Sequence, residues 1–433
     1  MTDTALPPRA AEPAPQAGPG GPAAAAPTRN GDGRADRRTW RNVWVLVAAQ
    51  AVLGSQITMI FTIGGLAGQM LSPIACLATL PISLIVFGSM TSAPWMSALM
   101  QARGRRTGFL VGATGGLIGS AVSALGLMQG NFWVFLIGAY MTGIYMSAQG
   151  FYRFAVTDTA PDAFKPKAIS YVMAGGLVSA LIGPQLVKVT AEATVVPFLG
   201  TYAIAMAINL FGMALFFLLD IPRPPAPTPG ANGGRTVAEL LRTPRVAVAI
   251  LCAMVSYALM NLVMTSTPLA MRLHGATLGD TAFVIQWHVV AMFAPSFATG
   301  HLIARLGLPA VLGAGVALGL GCVAVNLAGE TTAHFTLALA LLGVSWNFLY
   351  VGGTTLLTST YSPAERSRAQ ALNDFLVFGA VSLTALSAGG LHHVLGWRAV
   401  NLAVLPLLGV TALAVLWLAR REGTPPAVPR AAR

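Results

Sequence analysis

His288 and Asp374 lie inside long apolar runs, VIQWHVVAMF and ALNDFLVFGA, where an ionisable side chain needs a physical reason to be. An imidazole titrates at about pH 6.5, so His288 could exchange a proton under physiological conditions. Asp374 could carry a proton or hold a cation, which makes these two residues the proton-coupling candidates. The alternatives are a histidine satisfied between helices and a carboxylate favoured by a helix start, with Arg366 two turns earlier on a similar face.

Amide and aromatic side chains recur at helical spacing in other apolar runs. Tyr145, Gln149 and Tyr152 stand at i, i+4 and i+7; Tyr257, Asn261 and Thr265 at i, i+4 and i+8; Asn347, Tyr350 and Thr354 at i, i+3 and i+7, with Trp346 beside them. Gln50, Ser55, Gln56 and Thr58 add a fourth polar set. Exposed to lipid, these groups would leave hydrogen bonds unmade, so each stripe faces either a cavity or another helix. The candidate substrate-binding residues are Gln50, Gln56, Tyr145, Gln149, Tyr257, Asn261, Trp346, Asn347 and Tyr350. The sequence has no GxxxxGK[ST] phosphate loop, no HExxH and no Cys/His cluster. ATP drive, a metal, a bound cofactor and enzymatic turnover are therefore not expected. Cys76, Cys252 and Cys322 are odd in number and sit in apolar runs, as packing residues do.

The elements that carry these residues follow from composition. Of 433 residues, 55% are hydrophobic and 9% charged, and the mean hydropathy is +0.69. A water-soluble domain usually has about 25% charged residues, so most of this surface must meet lipid. Twelve apolar runs have the length of a membrane-crossing helix: 43–67, 74–99, 107–128, 132–154, 168–190, 197–219, 246–271, 281–303, 308–328, 333–357, 368–391 and 398–419. They are continuous and do not alternate, which favours helices over barrel strands. The fold class is thus an all-α membrane protein. Spans 1, 4, 7 and 10 hold ten Asn, Gln and Tyr residues against four in spans 3, 6, 9 and 12, so the first set should surround any polar chamber.

The net charge of +12 is distributed as membrane topology requires. With the amino terminus inside, 23 of the 26 Lys and Arg residues fall on the cytoplasmic side, leaving only Lys188, Arg272 and Arg398 outside. Both termini are expected in the cytoplasm, and no nucleic-acid partner is needed to explain the basic balance. Residues 1–42 read as a disordered tail without a secretory signal, 220–245 as a Pro- and Gly-rich cytoplasmic linker, and 422–433 as a second tail. Between them, 43–219 and 246–421 each hold six spans and differ in length by one residue. Lys165, Lys167 and Ala168 recur 201 positions later as Arg366, Arg368 and Ala369; Ser97, Leu99 and Gly104 align with Gly300, Leu302 and Gly307. Equal halves with matching loops point to two related six-helix bundles able to rock about a central site.

At these loops the sequence resembles the major facilitator superfamily. Its loop 2/3 signature, GxLADRxGRR, appears as Ser97-Ala98-Leu99-Met100-Gln101-Ala102-Arg103-Gly104-Arg105-Arg106, with the acid replaced by Gln101; Gly300 to Gly307 forms the counterpart in loop 8/9, including Arg305. Gly183-Pro184 is similar to the core of the antiporter-associated GPxxGG motif, and Gln149-Gly150 to the RxxQG element with Met146 at its Arg position. The resemblance implies two pseudo-symmetric six-helix bundles and secondary active transport of a small solute by alternating access; the expected location is a bacterial inner membrane. Export is placed ahead of uptake on the partial span 5 motif, proton coupling is expected from His288 and Asp374, and a single chain is expected to be the working unit. The gating residues the resemblance implies are Arg103, Gly104, Arg105, Arg106, Asp158, Gly183, Pro184, Arg305 and Gly307, with Asp158 pairing with Arg103 or Arg105 in a cytoplasmic latch. A transporter-like receptor or assembly factor that binds without turnover is the alternative.

Overall fold

The computed structural model describes residues 35–74, 77, 80–223 and 234–422. Most of the expected amino-terminal tail, the Pro- and Gly-rich centre of the linker and the carboxy-terminal tail lie outside the described residues. The helices are α1 (Arg37–Leu71), α2 (Leu80–Arg103), α3 (Arg105–Gln129), α4 (Phe132–Gly150), α5 (Tyr152–Ala155), α6 (Lys165–Thr190), α7 (Leu199–Gly212), α8 (Val237–Arg242), α9 (Pro244–Leu273), α10 (Leu278–Phe293), α11 (Ser296–Leu306), α12 (Leu308–Ala328), α13 (Thr332–Thr358), α14 (Arg366–Leu402) and α15 (Val404–Glu422). Among the described residues, nine helices are long and apolar enough to cross a membrane, ten if the bent pair Phe283–Phe293 and Ser296–Leu306 forms one span. The remaining expected spans coincide with α4 and the first part of α14.

Local chemistry sets the boundaries. Asp36 caps α1 by accepting from the Thr39 amide at 2.7 Å, so the helix begins six residues before the apolar run. Asn131 caps α4 and Thr277 closes a capping box with Asp280 at the start of α10. The turns between α2 and α3 and between α11 and α12 are single glycines in nearly the same conformation, Gly104 (φ 89°, ψ 163°) and Gly307 (φ 84°, ψ 159°). That backbone region is essentially closed to residues with a Cβ, which explains why both copies of the loop keep glycine. Gly396, at φ 76°, breaks α14 and so separates the last span from the one before it.

Each half repeats one packing scheme. α1 lies against α6, α3 against α4, α2 against α4, and α3 against α7; in the second half α9 lies against α14, α12 against α13, α10 against α13, and α12 against α15. The halves meet along α2 with α14 and along α6 with α10 and α11. Small residues permit this approach: a Cβ on Gly300 would stand 2.6 Å from the Pro166 carbonyl of the other half.

One cluster of inter-half polar contacts lies at the end of the molecule that carries residue 37 and residue 422. Ser97 donates to the Ser367 carbonyl at 2.8 Å. Arg105 binds Asp158 at 2.8 Å and also Gln370 across the interface at 2.9 Å. Arg366 reaches the same Asp158 from the second half. This end is therefore closed by buried charge, and the space between the halves lies beyond it.

Candidate functional site

A cavity of about 240 Å³ lies between the two halves, lined from α1, α2, α4, α5 and α6 on one side and from α9, α10, α13 and α14 on the other. The second half supplies an aromatic wall. Trp346 and Tyr350, one turn apart on α13, are stacked with centroids 4.9 Å apart and planes at 19°. Tyr257 stands edge-on to both, at 5.6 Å and 5.3 Å, and Phe293 edge-on to Trp346 at 5.6 Å. Such rings favour a flat apolar guest lying against a face or an edge. The first half supplies amides: Gln50 from α1 and Gln149 from α4, whose Nε2 lies against α1, 2.9 Å from where a Cβ on Gly54 would stand. Asn261 adds a third amide, donating to Thr384 at 3.2 Å.

Six of the nine candidate binding residues thus share one chamber: Gln50, Gln149, Tyr257, Asn261, Trp346 and Tyr350. Three do not line it. Gln56 and Asn209 exchange hydrogen bonds of 2.8 Å and 2.5 Å between α1 and α7. Tyr145 is fully buried in the core of the first half. Asn347 donates to the Met292 carbonyl and to Ser296, and accepts from Thr299, so it braces the break between α10 and α11.

His288 is fully buried and is not among the residues that line the cavity. Its Nδ1 donates to the Leu339 carbonyl at 2.8 Å, which fixes the proton on Nδ1 and leaves Nε2 as an acceptor without a partner. Asp374 is also fully buried, but its partner is Arg153 of the other half, and Arg366 instead serves Asp158. Asn373 donates to the bonded Asp374 oxygen at 2.9 Å.

Arg153 is the residue that sequence reasoning missed. It lines the cavity, its side chain is 3% exposed, and its guanidinium lies between the rings of Phe154 at 4.4 Å and Tyr350 at 4.6 Å. The signal was present: Tyr145, Gln149 and Arg153 continue one i, i+4, i+8 stripe. It stood at the end of a span and counted among the loop cations.

The gating candidates separate by position. Arg105 and Asp158 form the closed end described above. Arg106 donates to the Phe217 and Leu219 carbonyls, tying α3 to the end of its own half. Arg103 and Arg305 are exposed. Gly183 lets α6 approach α1, since a Cβ there would stand 2.8 Å from Thr58; Pro184 follows it within α6.

Among known proteins, the Major Facilitator Superfamily description matches residues 249–433. The chain is 38% identical over 387 residues to the Riboflavin transporter RfnT of Brucella anthropi, spanning 88% of this chain and 97% of that one. It is 29% identical to the Uncharacterized MFS-type transporter YdeG of Bacillus subtilis, over 87% and 90% of the two chains. In fold it is similar to the human organic anion transporter MFSD10 (TETRAN), with a TM-score of 0.73, 14% identity and coverage of 88% of this chain and all of that one. Two halves of matching packing scheme, a chamber between them and near full-length similarity to a transporter of the same kind lead to one conclusion: this chain belongs to the major facilitator superfamily.

Proposed function

We propose that this protein is a secondary active transporter that carries a flat, neutral heteroaromatic solute, riboflavin or a close relative, through the chamber between its halves. The observation that carries this reading is that the Trp346–Tyr350 stack of the second half and the amides Gln50 and Gln149 of the first line one chamber. A planar ring has a surface to lie on, and its polar edges have donors and acceptors to meet. The only charged side chain among the described lining residues, Arg153, is neutralised by Asp374, which suits an uncharged guest. The similar protein of Brucella anthropi is named for riboflavin, a solute of this kind.

The two bundles are residues 43–219 and 246–421, joined by the linker 220–245, with both termini cytoplasmic in the plasma membrane. On that topology the closed end is the cytoplasmic one, with Arg105, Asp158 and Arg366 holding the inner gate shut. Proton coupling falls to Asp374, because its carboxylate joins the halves beside the cavity, whereas His288 is enclosed between α10 and α13. Solute that binds both open states with modest affinity difference allows release on either side.

Purified protein in liposomes, given labelled riboflavin on one side or the other with and without a proton gradient, tests the reading and gives the direction. Flux that responds to the gradient and disappears in the double variant Trp346→Ala, Tyr350→Ala is expected. Binding without flux in every arrangement would favour a receptor that does not turn over.

A further inference from the structure

The pair α10 and α11 is broken where its lining of the chamber ends. The two helices meet at 41°, and Pro295 at the break has no N–H to give to the Ala291 carbonyl. Val289, Met292 and Phe293 line the chamber; of the described residues of that pair, none beyond Phe293 does. Asn347 spans the break, donating to the Met292 carbonyl before it and to Ser296 after it, and accepting from Thr299 one turn on. Its chain neighbour Trp346 belongs to the aromatic wall.

The Phe293 ring makes contacts in both halves. Within its own half it stands edge-on to Trp346 at 5.6 Å. Across the interface it occupies the place a side chain at Gly176 of α6 would take: a Cβ there would lie 2.4 Å from Cε1, 2.6 Å from Cδ1 and 3.0 Å from Cζ. Farther along the same two elements, toward the start of α6, the halves pack without such a ring. A Cβ on Gly300 of α11 would lie 2.6 Å from the Pro166 carbonyl oxygen and 2.8 Å from Ser170 Oγ. Phe293 therefore stands where the chamber gives way to a tightly packed seam.

We propose that Phe293 is a gating residue: its ring, seated on Gly176, stops the chamber on the side of the closed end and leaves that seat when the halves part there. The proposal rests on the reading of the chamber as one that opens to either end in turn. The break supplies the freedom to move, because a helix interrupted at a proline bends there more readily than an intact one, so α11 can turn away from α6 while α10 keeps its place. Trp346 and Asn347 connect the wall to this movement, since the first lines the chamber and touches Phe293 and the second holds the break together.

The test is the rate at which a maleimide labels a Ser170→Cys reporter in the purified full-length protein, without solute and with labelling of the protein lacking the reporter subtracted. Ser170 is buried on the face of α6 that meets Gly300. Gly176→Ala places a methyl where the ring sits, and such overpacking should speed labelling by about 5-fold or more. Phe293→Ala should speed it as well. Adding Gly176→Ala to Phe293→Ala should then change the rate by less than about twofold, because the atoms the methyl strikes are gone. A general loss of packing would not produce that silence. Phe293→Leu, which lacks Cε1 and Cζ, takes the place of Phe293→Ala if the alanine variant melts below the assay temperature. The same acceleration by Gly176→Ala with and without the ring, or no acceleration in either single variant, overturns the inference. Either of these results leaves the proposed solute standing, because the labelling is read without it.

Discussion

Arg366, at the start of α14, places its guanidinium 2.9 Å from the Asp158 carboxylate of the opposite half. Arg105 holds the other oxygen of that carboxylate at 2.8 Å, and both Arg105 and Asp158 have side chains only 4% exposed. One acid thus joins a helix start in each half. The family's loop 2/3 acid is absent here, with Gln101 in its place, and Asp158 supplies the negative charge instead.

Asp158→Asn keeps the shape of the side chain and removes the charge that both arginines need. Breaking a buried pair from one side costs about 3–5 kcal/mol, and opening the closed end relieves it. A Ser97→Cys reporter, buried against Ser367 in the parent, should react with a membrane-impermeant maleimide at least about tenfold faster in the Asp158→Asn background. A tenfold change corresponds to about 1.4 kcal/mol of population shift. An unchanged labelling rate contradicts the latch.

Trp346→Ala removes the larger partner of the stacked pair. Stacking of a flat ring on an aromatic side chain is worth roughly 1–3 kcal/mol, so riboflavin affinity should fall by about 5- to 150-fold in a titration of the purified variant. Gln56→Leu, whose parent residue bonds Asn209 outside the chamber, should lower stability by about 1–3 kcal/mol and leave affinity within about twofold.

Glu365 and Arg235 give a pH signature outside the membrane. Arg235 donates to both Glu365 oxygens, from Nε at 2.7 Å and from Nη2 at 2.9 Å, and holds the carboxyl well below the usual carboxylate range. A depressed carboxylate pKa stabilises the fold above the unfolded value of about 4.3 and loses that contribution as pH falls toward the folded value. Glu365→Gln should therefore melt lower than the parent at pH 7. The difference should shrink steadily as the pH is taken below about 4; a constant difference contradicts the pairing.

Much of this arrangement is legible in the sequence, for particular reasons. Gly104 and Gly307 mark corresponding turns because only glycine adopts their backbone, so the repeat survives where side chains have diverged. The stripes of α1, α4, α9 and α13 are visible because polar groups in lipid-spanning helices must be hidden. Helix rotation is not visible. Gln50 and Gln56 look alike on α1, yet one faces the chamber and the other bonds Asn209, a partner 153 positions away. Asp374 and Arg153 are 221 positions apart and on different halves, so no spacing rule could join them.

His288→Ala separates the two ionisable candidates. His288 bridges α10 to the Leu339 carbonyl, so its loss should lower the melting temperature and leave the response to a proton gradient intact. Asp374→Asn, measured in the same liposomes, should abolish the gradient response. The opposite pattern would move coupling to His288.

Counterflow tests alternating access at this chamber most directly. Liposomes containing the protein and loaded with excess unlabelled riboflavin are diluted into a trace of labelled riboflavin, with no ion gradient imposed. A carrier whose one site faces each side in turn should accumulate label transiently above equilibrium, and Trp346→Ala should lose that overshoot. Entry of label that never exceeds equilibrium and does not depend on the internal load would contradict the account.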